Sequence, residues 1–510
     1  MNASGAGNAS DGGRIGPTLA PAAKVVRKSI RDLEFICGQI LRFARMPPKQ
    51  LLKHMAKRRE DAFHMIPHPD GRGHLSCGIE AERRFGILAD RVLEYEPQLS
   101  GRLSRSKTKD RVVAAFVQRV LREKKEVDAG TAEQILRDVS EGCKASLRTA
   151  EHFVPCVLFL YGGPDEFSIG PVTFSRRVAF FRSRRASLKK SVHASIQSNI
   201  EQVERAVEGG FPRDRATTSE QSRHFIRGLQ ARALKTFRQY PWIARVQVSE
   251  CDHETGEDVA ERAVGLAINS MRILLGARHT DRIRLAWSRS DALQTARMWA
   301  GPDGIFHVGV GSRADGQVGV ENWYEGLTLS GGFELKAFGS AFTPLVTCTP
   351  IRHVHQRILD AVNWFGDAAT DPEPTASIVK YVSAIERAVF GSWQQGRTKD
   401  FASRLEALWK AYDCDGQETV GAEAREIYEA RSRLLHGAVS PRDAGVDRLA
   451  VLSEKISRLT ILCVLQLYPM MIKAYGDPDP EQLEEVMTRM RREGLGWLAK
   501  KANYSIGKRA

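Results

Sequence analysis

Apolar positions recur at helical spacing over much of the chain. From Val25 to Met46 they fall at Val26, Ile30, Leu33, Ile36, Cys37, Ile40, Leu41 and Phe43, and Pro47-Pro48 ends the run. That spacing predicts a helix with one buried face. Residues 49–150 continue mostly helical, broken by a polar loop near Pro67 to Gly73 and by a strongly basic piece from Arg102 to Lys109. The texture changes at His152. Phe153 to Tyr161 is a short apolar run closed by Gly162-Gly163-Pro164, and Phe167 to Phe174, Val178 to Phe181 and the alternating Trp242 to Val248 read as strands. Strands are also predicted at Ile283 to Trp287, Gly304 to Gly311, Val318 to Leu329 and Phe333 to Phe338. Amphipathic helices are predicted over Ala186 to Val207, Ser222 to Tyr240 and Asp258 to Leu275. After Ile351 the strand signals stop. Helices follow at roughly Ile351 to Phe365, Ala376 to Trp393, Phe401 to Tyr412, Val420 to His436 and Val446 to Lys473.

The expected fold class is therefore α+β and multidomain, since 510 residues exceed one ordinary core. We expect a disordered tail over 1–24, a helical N-terminal region over 25–150 and an α+β domain over 151–347. An all-α helical bundle over 348–476 and a basic helical tail over 477–510 complete the chain. The apolar stretch from Leu459 to Met471 is broken by Gln466 and Pro469, so it reads as a buried helix and no membrane partner is expected. The N-terminus lacks the charged start and apolar stretch of a secretory signal. The eight cysteines form no CxxC pair, a spacing that fits reduced thiols and a cytoplasmic location.

Charge adds a partner. The net charge of +15 favours a polyanion through phosphate neutralisation. Arg182, Arg184, Arg185, Lys189 and Lys190 make a basic patch that either grips RNA phosphates or is simply solvated. Several other chemistries drop out. No GxxxxGK[ST] exists, and Gly309 and Gly311 lack the third glycine and following helix of a dinucleotide site. The cluster His64, His68, His74 and Cys77 matches no zinc spacing, so no metal and no cofactor is expected. His353 and His355 alternate on a predicted helix and read as structural.

The residues that remain are at the end of the fourth C-terminal helix, Ile427-Tyr428-Glu429-Ala430-Arg431-Ser432-Arg433-Leu434-Leu435-His436-Gly437. Gly437 is a natural helix stop, which leaves His436 in the last turn against the negative end of the helix dipole. Arginine offers a permanent charge and a fork of donors that fits phosphate, and histidine moves protons near neutral pH. Together they can break a phosphodiester bond without a metal. On an ideal wheel Arg431 and His436 stand about 140° apart, whereas Arg433 and His436 are about 60° apart. The bland reading is a solvated helix end in which His436 caps carbonyls. Glu386 either orients the arginine or histidine or is an ordinary surface glutamate. Tyr428 shares the face of Arg431 or packs on Trp364, which itself reads as core.

Tyr428-x-x-Arg431-Ser432-x-x-x-His436-Gly437 resembles the signature of HEPN domains, in particular the Apea-like group of prokaryotes. Arg357-Ile358-Leu359-Asp360-Ala361-x-x-Trp364-Phe365-Gly366 resembles that group's opening helix, and Tyr381-Val382-Ser383-Ala384-Ile385-Glu386 its second. A weaker likeness runs from Phe153-Val154-Pro155 to Ile169-Gly170-Pro171-Val172-x-Phe174, a segment found upstream of such domains. The resemblance implies a HEPN-like bundle over about residues 350–475. It also implies metal-independent endoribonuclease action on RNA, in a homodimer formed through that bundle. His436 would move a proton, Arg431 would hold the scissile phosphate, and Glu386, Tyr428, Ser432 and Arg433 would support them. It further implies a role in host defence or a toxin system. HEPN domains also occur as non-catalytic binding modules, so an RNA-binding or dimerisation module is the competing expectation, and a regulatory scaffold the third.

Overall fold

The computed structural model describes residues 21–71, 73–208, 219–286, 294–300, 306–312, 316–317, 321–329, 332–392, 398–438, 440 and 443–503. Most of the expected tail 1–24, the end of the C-terminal tail, Trp287, Gly304 and residues 318–320 lie outside them. The chain divides into two compact units, Met1–Arg148 with Glu250–Gly256, and Thr149–Ser249 with Glu257–Ala510.

The first unit contains α1 (Pro21–Arg45), α2 (Pro48–Lys57), strands β1 (Met65–Pro67) and β2 (His74–Ser76), then α3 (Gly78–Tyr95), α4 (Arg105–Phe116) and α5 (Ala129–Ser146). Leu33, Ile36 and Ile40 of α1 share one core with Phe85, Leu88 and Val92 of α3, as the helical spacing predicts. Ser104 and Asp128 cap α4 and α5 by accepting the amides of Lys107 and Thr131. The polar loop near Pro67 to Gly73 is the turn of the antiparallel β1–β2 hairpin, a pair too short to register as a pattern. The basic piece after Arg102 is answered charge by charge. Arg105 meets Asp90 at 2.7 Å, Lys109 meets Glu82 at 2.5 Å and Lys107 meets Glu254 at 3.2 Å.

In the second unit β3 (Arg148–Val157), β4 (Glu166–Ile169) and β5 (Val172–Arg176) lead into two long helices, α6 (Arg177–Glu208) and α7 (Ser219–Phe237). The chain then returns as β6 (Trp242–Cys251) and continues through α8 (His253–Leu275), β7 (Arg284–Leu285), the hairpin β8 (Gln294–Ala300) and β9 (Phe306–Ser312), α9 (Trp323–Thr328) and α10 (Phe333–Val346). The five-stranded sheet has the order β4-β5-β6-β3-β7. β5 and β6 are antiparallel neighbours with Arg176 opposite Trp242, so α6 and α7 leave from and return to adjacent sheet positions. Trp242 donates its indole N–H to the Phe159 carbonyl at 2.8 Å, and Trp323 stacks on Phe159 with centroids 4.3 Å apart.

Three strand expectations fail here. Val178 to Phe181 lies in the first turns of α6, Val318 to Leu329 contains helix α9, and Phe333 to Phe338 opens α10. In α10 the buried positions Phe338, Ala341, Phe342 and Leu345 recur at three and four residues, a helical stripe that overrides the alternation of its first six residues. Gly170, with φ 55°, and Gly339 let α10 cross the β4–β5 turn backbone to backbone. A Cβ at Gly339 would lie 2.7 Å from Gly170 Cα.

The chain ends in α11 (His353–Ala369), α12 (Pro374–Val389), α13 (Thr398–Ala411), α14 (Val420–Leu435), α15 (Val446–Tyr475), α16 (Pro480–Glu493) and α17 (Gly496–Lys501). The five expected helices are all present. α15 runs through Pro469 with Ile456, Ile461, Val464, Leu467 and Met471 buried. Among the described residues no single helix is long and apolar enough to cross a membrane. The segment after 477 is more than a basic tail. α16 is set by a capping box at Asp479 and buries Leu483, Val486, Met487 and Met490. Its Glu484 ion-pairs with Arg404 of α13 and accepts the Gly391 amide at the end of α12 at 2.6 Å.

Candidate functional site

The helix α14 ends as its sequence requires. The amide of Ala438 donates to the Arg433 carbonyl at 2.8 Å and that of Gly437 to the Leu434 carbonyl at 3.2 Å, a Schellman closure. Gly437 takes φ 69°, where a side chain is disfavoured. His436 is the C-cap residue, its amide still donating to the Ser432 carbonyl at 3.1 Å.

Upstream, α14 buries Val420, Ala424 and Ile427. Arg431 continues that stripe and meets Glu386 of α12, Nη2 to Oε2, at 3.6 Å. The other carboxylate oxygen accepts the Tyr428 hydroxyl at 3.3 Å. The guanidinium carbon of Arg431 stands 5.7 Å from the Tyr428 ring centre, and that ring packs on Phe401 of α13 at 4.9 Å. Arg431 is 27% exposed and Glu386 18%, so the pair is half shielded from water. Glu386 thus reaches the arginine, and Tyr428 packs on Phe401. Trp364 departs from the core expectation: it is 41% exposed, while its neighbour Phe365 is buried against Tyr381 at 5.1 Å. Gly366 lies so close to Asn269 of α8 that a Cβ would fall 2.0 Å from its amide. The likeness in Trp364-Phe365-Gly366 therefore rests on two packing positions and one exposed ring.

The structure gathers Arg431, Glu386 and Tyr428 but keeps His436 apart. The amide of His436 keeps the α-helical bond to Ser432, in line with the ideal-wheel offset of about 140° from Arg431. His436 and Arg433 are exposed on the open side of the helix end, with Ser432 partly buried between the two faces. Among the described residues the His436 ring makes no hydrogen bond or ion pair. Leu435, beside it, is 55% exposed.

The basic patch on α6 also separates. Arg184 is paired with Glu151 at 3.2 Å and lies 5.6 Å from the Phe153 ring centre, so it braces the sheet. Arg182, Arg185, Lys189 and Lys190 are exposed. Among the described residues no group of histidine, cysteine and acidic side chains could hold a metal. His353 and His355 both sit in the first turn of α11, and burial pushes both imidazoles below their ordinary value. His355 with Arg352, Ile358, Leu465 and Pro469 lines a cavity of about 280 Å³ that the sequence did not announce. No protein-family model, curated protein or solved structure matches the chain.

Proposed function

We propose that the end of α14 is the working part of a metal-independent endoribonuclease of HEPN type, in a cytoplasmic protein of prokaryotic defence or toxin kind. The observation that carries this reading is the Glu386–Tyr428–Arg431 cluster on the packed side of α14, with His436 exposed at the glycine-closed end of the same helix. Arg431, steadied by Glu386, holds a non-bridging oxygen of the scissile phosphate and offsets charge in the transition state, a role typically worth about 10²–10³ in rate. His436 moves the proton of the attacking 2′-hydroxyl or of the leaving 5′-oxygen. The products are a 2′,3′-cyclic phosphate and a 5′-hydroxyl.

The offset between the two side chains within one chain makes a second copy part of the proposal. A homodimer through the C-terminal helices brings His436 of each copy to the phosphate held by the other, and exposed Leu435 offers apolar surface for that contact. Arg433, on the side of His436, is a further phosphate contact.

The same offset favours a second reading, in which these helices bind RNA or pair without cutting. One experiment separates them. Purified protein is incubated with mixed RNA in EDTA and the ends are mapped, for wild type, Arg431→Ala, Arg433→Ala and His436→Ala. Cyclic-phosphate ends that fall at least 100-fold in Arg431→Ala and His436→Ala support the nuclease. RNA that is bound and left whole by every form supports the binding module.

A further inference from the structure

Charge in this molecule is not spread evenly. Residues 167–200 contain seven Lys and Arg and no Asp or Glu, and residues 221–249 contain six and none. Those two stretches carry thirteen of the fifteen net positive charges of the whole chain. They are β5, α6, α7 and β6, so the structure folds both stretches onto one pair of helices.

That pair has little interior. In α6 beyond Phe181 the only fully buried described side chain is Ile196, and in α7 it is Ser222. α6 has 32 residues, a length of about 48 Å at the helical rise. The helices leave the sheet and return to it at Arg176 and Trp242, which are opposite each other. They form an arm whose cations crowd the first fourteen residues of α6 and run along α7, while the far end of α6 carries Glu201, Glu204, Arg205 and Glu208.

Some of the cations are structural. Arg184 and Arg245 share Glu151, and Arg177 donates to the Arg238 carbonyl. The rest are not. On α6, Arg182, Arg185, Lys189 and Lys190 are exposed and have no acidic partner among the described residues. On α7 the same holds for Arg223, Arg227, Arg232 and Lys235. This differs from the basic piece after Arg102, where Lys107 and Lys109 each have a carboxylate. Phe225 lies between Arg223 and Arg227 and is 55% exposed, and Leu229, one turn on, is 41% exposed.

We propose that the α6–α7 arm binds single-stranded nucleic acid. Eight unanswered cations on one arm raise its affinity for a phosphodiester backbone, which they bind by releasing counterions. Arg182, Arg185 and Lys189, at spacings of three and four, form a single stripe for successive phosphates. Phe225 offers a face on which an unpaired base stacks, and a duplex has no such base to give. This binding is independent of the chemistry at α14.

The test uses the full-length protein and fluorescent probes about 30 nucleotides long, oligo-dT, oligo-U and a duplex of the same length, in a salt titration. Oligo-dT lacks a 2′-hydroxyl, so it stays intact whether or not the α14 site cuts RNA. The variant Arg182→Gln/Arg185→Gln/Lys189→Gln/Lys190→Gln is compared with Lys24→Gln/Lys28→Gln/Lys49→Gln/Lys53→Gln, which removes as much charge from exposed positions of α1 and α2. We expect both single strands to bind more tightly than the duplex. The arm variant should lose at least tenfold in affinity, and its salt slope should fall by about 0.7 for each phosphate it no longer neutralises. Phe225→Ala should lose roughly tenfold, an ordinary value for one stacked base. Equal weakening by the control variant overturns the proposal. So does equal binding of the duplex, or a preference for anionic phosphatidylserine vesicles over both strands.

Discussion

Arg431 and His436 are five residues apart and belong to different faces, and that fact governs what either can do. Arg431 is held by the Glu386 carboxylate of α12, which also accepts the Tyr428 hydroxyl, whereas His436 follows the last helical residue into water. The wheel offset is readable in the sequence, and so is the glycine stop. The pairing of Arg431 with Glu386 is only one of two readings there, because helix crossing, not spacing, decides which glutamate meets which arginine. Trp364 misleads for a related reason: its type favours burial, but its place on α11 puts Phe365 inward instead. The close approach of Gly170 and Gly339 gives a sharper residue-level test. In Gly339→Ala the new methyl meets backbone, not a movable side chain, so α10 must shift away from the β4–β5 turn. We expect a loss of about 1–3 kcal/mol in urea unfolding, the usual cost of overpacking. An unchanged midpoint would show that the helix and the turn are not pressed together there.

Among elements, α16 has consequences beyond its own turn. Burial alone would raise the Glu484 carboxyl, but Arg404 and the amides of Gly391 and Ser392 outweigh it and hold that carboxyl below the usual glutamate range. A lowered folded value means that the stabilisation is complete above the unfolded value, about 4.3, and is lost as the pH falls through the folded one. Glu484→Gln should therefore cost about 1.5–3 kcal/mol at neutral pH. Below about pH 4 its stability should fall less steeply with acid than that of wild type. Parallel denaturation series from neutral pH down through the carboxylate range would measure both effects, and parallel curves for the two proteins would refute the assignment. The helices are the most legible elements, because α11, α12, α14 and α15 each repeat a buried stripe along their length. Strands are less so. Val178 to Phe181 is apolar and β-branched at its start, yet four residues cannot distinguish a strand from the first turn of a helix. Helix α9 is hidden in the same way, and with it the partnership of Trp323 and Phe159.

At the scale of the whole molecule, the sequence shows the charge but not its address. A net +15 looks like a general property until the fold brings residues 167–200 and 221–249 together on one arm. The basic piece from Arg102 looks equally promising along the chain, and its carboxylate partners come from as far as 148 residues away. The arm also has an architectural meaning. Because Arg176 and Trp242 are cross-strand partners, the backbone could turn there within a few residues, as ordinary hairpins do. Beyond Arg184, which braces the sheet through Glu151, we therefore expect the sheet to fold without residues 186–236. Replacing that stretch by a short glycine linker should leave a cooperatively folding protein that melts within about 5 °C of the parent. Loss of a cooperative transition would mean that the helices prop up the sheet. If the shortened protein does fold, the appendage is a removable module. It could then be exchanged for another pair of helices, giving the same body a different grip.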